Sequence, residues 1–153
     1  MKKTLSDPQA KASIFSRLDK LTPESSRQWG KMNVNQMLRH VKDAANMATG
    51  KTSVDRSAKF LERTLMKNFV LWGIPAPKGK VKTYPEIDIV LKGINPEEIE
   101  KERNSLKQCI NDFLSYGESR DYFSHPTFGK MSVSQWQRLV YIHADYHLKQ
   151  FGV

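Results

Sequence analysis

Apolar residues recur at helical spacing along almost the whole chain, which leaves little room for a sheet. Ala10, Ile14, Leu18 and Leu21 form one stripe over residues 7–21, and Thr22-Pro23 ends it. A second helix begins at Asn33, where Asn33 and Gln36 resemble a capping box, and it closes at Gly50. Phe60, Leu61, Leu65 and Phe69 mark a third, from about Asp55 to Trp72. Asn95-Pro96-Glu97-Glu98 reads as a helix start: an N-cap, a proline at the first position, then two acids on the positive end of the dipole. Ile99, Leu106, Ile110, Phe113 and Leu114 carry that helix to Gly117. Ser132 and Gln135 make another capping box, and the last helix runs to Phe151 before Gly152.

Residues 73–95 hold Pro75, Pro77 and Pro85 with Gly73, Gly79 and Gly93, and read as a long crossover. Ile87 to Leu91 is a passable strand, but with nothing to pair against it reads as irregular chain. The expected fold is all-α, a four-helix bundle of segments 7–21, 33–49, 96–117 and 132–151, with the helix near 55–72 in the crossover. Its 153 residues make a single domain, 1–153, long enough to bury about 70% of the unfolded surface.

Aromatic residues at 10% argue against disorder, and the longest apolar run, Phe69 to Trp72, is far short of the ~20 residues of a spanning helix. The N-terminus runs from Lys2-Lys3 into Asp7-Pro8 without an apolar region, so export is not expected. Cys109, the one cysteine, cannot form an internal disulfide, and a cytoplasmic location is expected. The net charge of +9 is uneven: residues 1–82 carry 17 basic and 6 acidic side chains, residues 83–153 carry 8 and 10. Only Lys78, Lys80 and Lys82 cluster, without zinc-finger spacing or an RNA-recognition motif. The charge therefore reads as solvated surface, with neither nucleic acid nor a membrane expected as a partner.

The histidines carry more information. His143 and His147 lie one turn apart on the last helix, about 40° from one another around the axis, with Trp136 and Gln150 each about 20° from His143. Both imidazoles therefore lie on the core-facing stripe, where they need partners: a carbonyl, a carboxylate, or a metal ion serving both. Ala144 follows His143 where a zinc peptidase of the H-E-x-x-H type has its general base, so that activity is excluded. His40 also faces inward, between Gln36, Ala44 and Met47 on the second helix. A neighbouring helix can bring it against the other two, and three imidazoles with an open position suit a catalytic divalent ion. His125 precedes Pro126 in a loop and reads as structural, and Cys109 as a small core filler. Glu102, near an apolar stripe, is a candidate further ligand or base, although solvation at the bundle edge accounts for it as well.

Several phrases carry a family resemblance. They are Trp29-Gly30-Lys31-Met32, the run from Asn35 to His40, His125-Pro126-Thr127-Phe128-Gly129-Lys130, Gln135-Trp136, and His143-x-x-x-His147-x-x-Gln150-Phe151-Gly152. Together they resemble the DinB-like superfamily, and more narrowly a branch known as a domain of unknown function. The resemblance implies a four-helix bundle with a long crossover and a divalent metal on His40, His143 and His147, for which Zn²⁺ or Ni²⁺ is expected. It also implies an enzyme acting on a small molecule, either an S-transferase using a low-molecular-weight thiol or a hydrolase, and no DNA chemistry. Relatives of that branch often carry a further histidine where this chain has Tyr146, which favours an open coordination position. Gln150, Tyr146 and Trp136 are then expected to line the pocket, and Gln36 or Asp43 to orient His40. A nucleic-acid-binding bundle, a non-catalytic metal protein and assembly as a homodimer stay open on the sequence alone.

Overall fold

The computed structural model describes residues 2–56, 59–117 and 121–153. It is all-helical: among the described residues there is no strand, only an isolated antiparallel bridge between His125 and Gly129. Helix α1 spans Pro8–Asp19, with Asp7 as N-cap accepting the Gln9 N–H and Pro8 at the first position. Helix α2, Val34–Asn46, tightens into a 3₁₀ turn over Met47–Thr49, and Gly50 closes it at φ +74°. A π turn over Glu62–Met66 leads into the short α3, Lys67–Trp72. Helix α4 is Ile99–Ser115 and α5 is Val133–Gln150.

Both capping boxes form. The Asn33 side chain accepts the Gln36 N–H while Gln36 Oε1 accepts the Asn33 N–H, and Ser132 and Gln135 repeat the exchange at α5. α2 packs on α4 and α5, and α1 packs on the same two helices. The shared core takes Ile14 and Leu18 from α1, Met37 and Leu38 from α2, Leu106 and Ile110 from α4, and Trp136 and Leu148 from α5. No helix among the described residues is long and apolar enough to cross a membrane.

Two expectations need correction. Asn95 does not cap a helix: α4 starts at Ile99, after Glu98, which makes no side-chain cap bond. Residues 94–96 are drawn instead across the start of α2. Asn33 Nδ2 donates to Asn95 Oδ1, Asn35 Nδ2 to the Pro96 carbonyl and Gln36 Nε2 to the Ile94 carbonyl, and these three bonds outweigh the local helix signal. The helix read over 55–72 is seen from Phe60, with residues 57 and 58 outside the described chain. Its stripe of Phe60, Leu61, Leu65 and Phe69 is exposed, and the buried residue of α3 is Leu71. The Ile87–Leu91 segment is irregular, as expected, with a 3₁₀ turn over Pro85–Ile87.

Candidate metal centre

Because α2 packs on α5, His40 meets His143 and His147 between the two helices. The Nε2 atoms of His40 and His143 are 3.2 Å apart, as are those of His147 and His143. The ring planes cross at 66° to 88°, so the imidazoles converge edge-on instead of stacking. His40 and His147 are buried, and His143 keeps partial exposure.

The protons can be placed from the partners. His40 Nδ1 faces the Ile87 carbonyl at 3.4 Å, and His147 Nδ1 faces Gln150 Oε1 at 2.8 Å. Gln150 Nε2 donates to the Trp29 carbonyl at 2.6 Å, which fixes its Oε1 toward the histidine. A carbonyl oxygen only accepts, so both imidazoles carry their proton on Nδ1 and turn an Nε2 lone pair inward. His143 Nε2 can donate a proton to one of these lone pairs, and the other is left without a donor from this trio. Burial sets the charge state. It is the largest cause holding all three histidines below their usual pKa, with His147 at about 3, and the neighbouring imidazoles push His143 and His147 further down. The Ile87 carbonyl and Asp43 oppose the shift at His40 without cancelling it. At neutral pH the cluster is three neutral bases aimed at one point.

The other candidates take different places around the trio or away from it. Gln150, expected to line a pocket, is buried and holds His147 by the ring proton; its position three residues along the same helical face was the signal for that role. Gln36 does not orient His40, because the capping box and the Ile94 carbonyl occupy its amide. Asp43 does not either, because its carboxylate faces Arg39 Nε at 3.3 Å. The Ile87 carbonyl takes that place, and no side-chain pattern announces a main-chain oxygen from an irregular segment. Trp136 is 1% exposed in the core, against the His125 ring and not on a pocket wall. Tyr146 does lie beside the site: its ring meets His147 edge-on at 5.2 Å and its hydroxyl accepts the Trp29 indole N–H at 3.2 Å.

Glu102 is buried away from the trio, between Arg39 and Lys42 at 3.8 and 3.7 Å. His125 is structural, as expected. Its Nδ1 accepts the N–H groups of Thr127 and Phe128, its ring stacks on Phe128, and burial holds its pKa down to about 4. Cys109 is a buried thiol pushed up to about 11 by desolvation, donating to Asn46 Oδ1. Of the loop lysines, Lys78 lies 4.5 Å over the Trp29 ring.

The sequence profile of one family, described as "Protein of unknown function (DUF1569)", matches residues 3–152. No curated protein and no solved structure matches the chain.

Proposed function

The chain belongs to the DUF1569 family, whose function is unknown, and from its own site we propose a metal-dependent enzyme acting on a small molecule. The convergence of three neutral Nε2 atoms carries this reading, because a cation is the partner that satisfies all their lone pairs at once. Tetrahedral zinc with nitrogen ligands at 2.0–2.1 Å spaces those nitrogens about 3.3 Å apart, close to the 3.2 Å of the His40–His143 and His147–His143 pairs. His40, His143 and His147 are the ligands of this proposal, with Zn²⁺ or Ni²⁺ as the ion. When bound, such an ion supplies Lewis acidity that makes a water or a small thiol acidic and nucleophilic near neutral pH.

The protein groups around it hold and shield. The Ile87 carbonyl and Gln150 retain the Nδ1 protons of His40 and His147, which keeps both Nε2 atoms available and makes the rings more basic. Tyr146 stands beside His147 with the Trp29 ring against it, and His143 is the one of the three histidines that keeps partial exposure. The resemblance to the DinB-like superfamily supports a single four-helix-bundle domain and a choice between two reactions. One is S-transfer from a low-molecular-weight thiol; the other is hydrolysis.

The test begins with metal analysis of untagged protein purified without added metal. A stoichiometric divalent ion is expected, lost in His40→Ala, His143→Ala and His147→Ala. Adding a small thiol to the Co²⁺ form then reads the open position, because a sulfur-to-metal charge-transfer band appears only if a fourth ligand can enter. Full metal content in His40→Ala would overturn the site. A Co²⁺ spectrum that ignores thiols and hydroxamates would overturn the enzyme in favour of a closed metal.

A further inference from the structure

Large apolar side chains point outward together along residues 60–74. Phe60 is 70% exposed, Leu61 65%, Leu65 58%, Trp72 64%, and Phe69 and Ile74 about half. Leu61, Leu65, Phe69 and Trp72 follow one another at spacings of four, four and three, so they form one stripe on the helix. That helix is fastened by its opposite side. Leu71 is buried, Arg138 Nε donates to its carbonyl at 3.1 Å, and Lys67 Nζ reaches the Lys130 carbonyl. The stripe therefore cannot turn inward without breaking these contacts.

The same segment is strongly basic. Residues 59–82 contain six Lys or Arg and one acid, Glu62, and that carboxylate is already engaged by Arg56 and the Lys59 N–H. Lys59, just before the helix, and Arg63 are exposed one turn apart on the side away from the stripe, and Lys2 lies 5.5 Å over the Trp72 ring. We propose that this face docks on an anionic phospholipid surface. The helix would lie in the plane of the interface, with Leu61, Leu65, Phe69 and Trp72 below the headgroups and the cations among them. Charge and apolarity together choose the occupant. A nucleic acid would use the cations and leave the apolar stripe in water. A second copy on the same face would set like charge against like.

The experiment uses the full chain and sedimentation with phosphatidylcholine vesicles, with and without phosphatidylglycerol. Binding is expected only to the anionic vesicles, weakening as salt is raised, with a blue shift of Trp emission that Trp72→Phe removes. Leu65→Glu/Phe69→Glu alters exposed residues, so helicity and thermal stability should hold while vesicle binding falls at least ~10-fold. Lys59→Gln/Arg63→Gln removes two cations and should weaken binding roughly 30-fold. No binding to anionic vesicles at low ionic strength overturns the proposal, as does binding that Leu65→Glu/Phe69→Glu leaves intact. A concentration-dependent dimer abolished by that double variant would assign the face to self-association instead. Duplex binding lost with the cations but kept without the apolar stripe would assign it to nucleic acid.

Discussion

Gln150→Met tests the coupling between the imidazole cluster and its surroundings. Methionine has nearly the volume of glutamine, so the buried site keeps its packing while losing both amide functions. Two groups lose their partners: the His147 Nδ1–H, now bonded at 2.8 Å, and the Trp29 carbonyl, now bonded at 2.6 Å. Each buried group left without a hydrogen bond costs about 1–3 kcal/mol, so the metal-free fold should weaken by a few kcal/mol and still remain folded. Metal affinity should drop further than folding alone explains, because the ring is free to rotate or to move its proton to Nε2. Losing such a support weakens metal binding roughly 10–100-fold, or about 1.4–2.7 kcal/mol. Competition against a chromophoric chelator measures the affinity and urea denaturation of the apo protein measures the fold. Gln150→Glu keeps an acceptor for the Nδ1 proton and should recover most of the affinity. Wild-type affinity in Gln150→Met would refute the assignment of Gln150 as the group that sets His147.

Other consequences can be checked as directly. Burial holds His125 near 4 and His147 near 3, so each binds its proton more weakly folded than unfolded, and stability is fully present above pH 6.5 and lost as pH falls through that value toward 4. At about 1.4 kcal/mol per pH unit per histidine, these two alone make the apo protein about 3–4 kcal/mol less stable at pH 5 than at pH 7 by urea denaturation, and His40 and His143, also held low, add to the loss; a flat profile contradicts the burial. Gly30 sits at φ +85°, and a Cβ there would collide with Gln150 Nε2, so Gly30→Ala should reproduce the metal-affinity loss of Gln150→Met in the chelator assay. His125→Ala should retain the metal by elemental analysis yet lower the thermal midpoint, since two backbone N–H groups lose their acceptor. Cys109, buried and pushed up to about 11, should resist a thiol reagent in native protein at mildly alkaline pH and react once urea is added.

What could be read before any coordinates were those features that depend on near neighbours in sequence. Asn33 with Gln36 and Ser132 with Gln135 announce their helix starts because the exchange spans three residues, and both form. The inward stripe holding His40, and that holding His143 and His147, follow from helical spacing in the same way. Asn95-Pro96-Glu97-Glu98 shows the limit: its local signal is good, but Asn33, Asn35 and Gln36 hold residues 94–96 from sixty positions away. Periodicity also says which residues share a face without saying which way it looks, so the stripe of Phe60 and Leu65 was legible and its exposure was not. Gln36 and Asp43 were reasonable partners for His40 by spacing, but capping and Arg39 engage them first.

The connection between α3 and α4 touches α2 at two heights: the Ile87 carbonyl at the His40 ring, and the carbonyls of Ile94 and Pro96 at the side chains of its first turn. Two fixed points seven residues apart turn the stretch between them into a gauge, whose length is matched to the distance along the helix. Upstream the chain is held by fewer and more peripheral contacts, the Gly79 N–H on the Tyr146 hydroxyl and the Tyr84 hydroxyl on Thr127. Insertions of a few residues between Gly73 and Gly79 should therefore be absorbed as surface variation. One residue added or removed between Ile87 and Ile94 would shift the carbonyl off the His40 ring or pull the first turn of α2 loose. The tolerance of this connection to changes in length is thus divided at Ile87, and the shorter part behaves as a component of the histidine cluster.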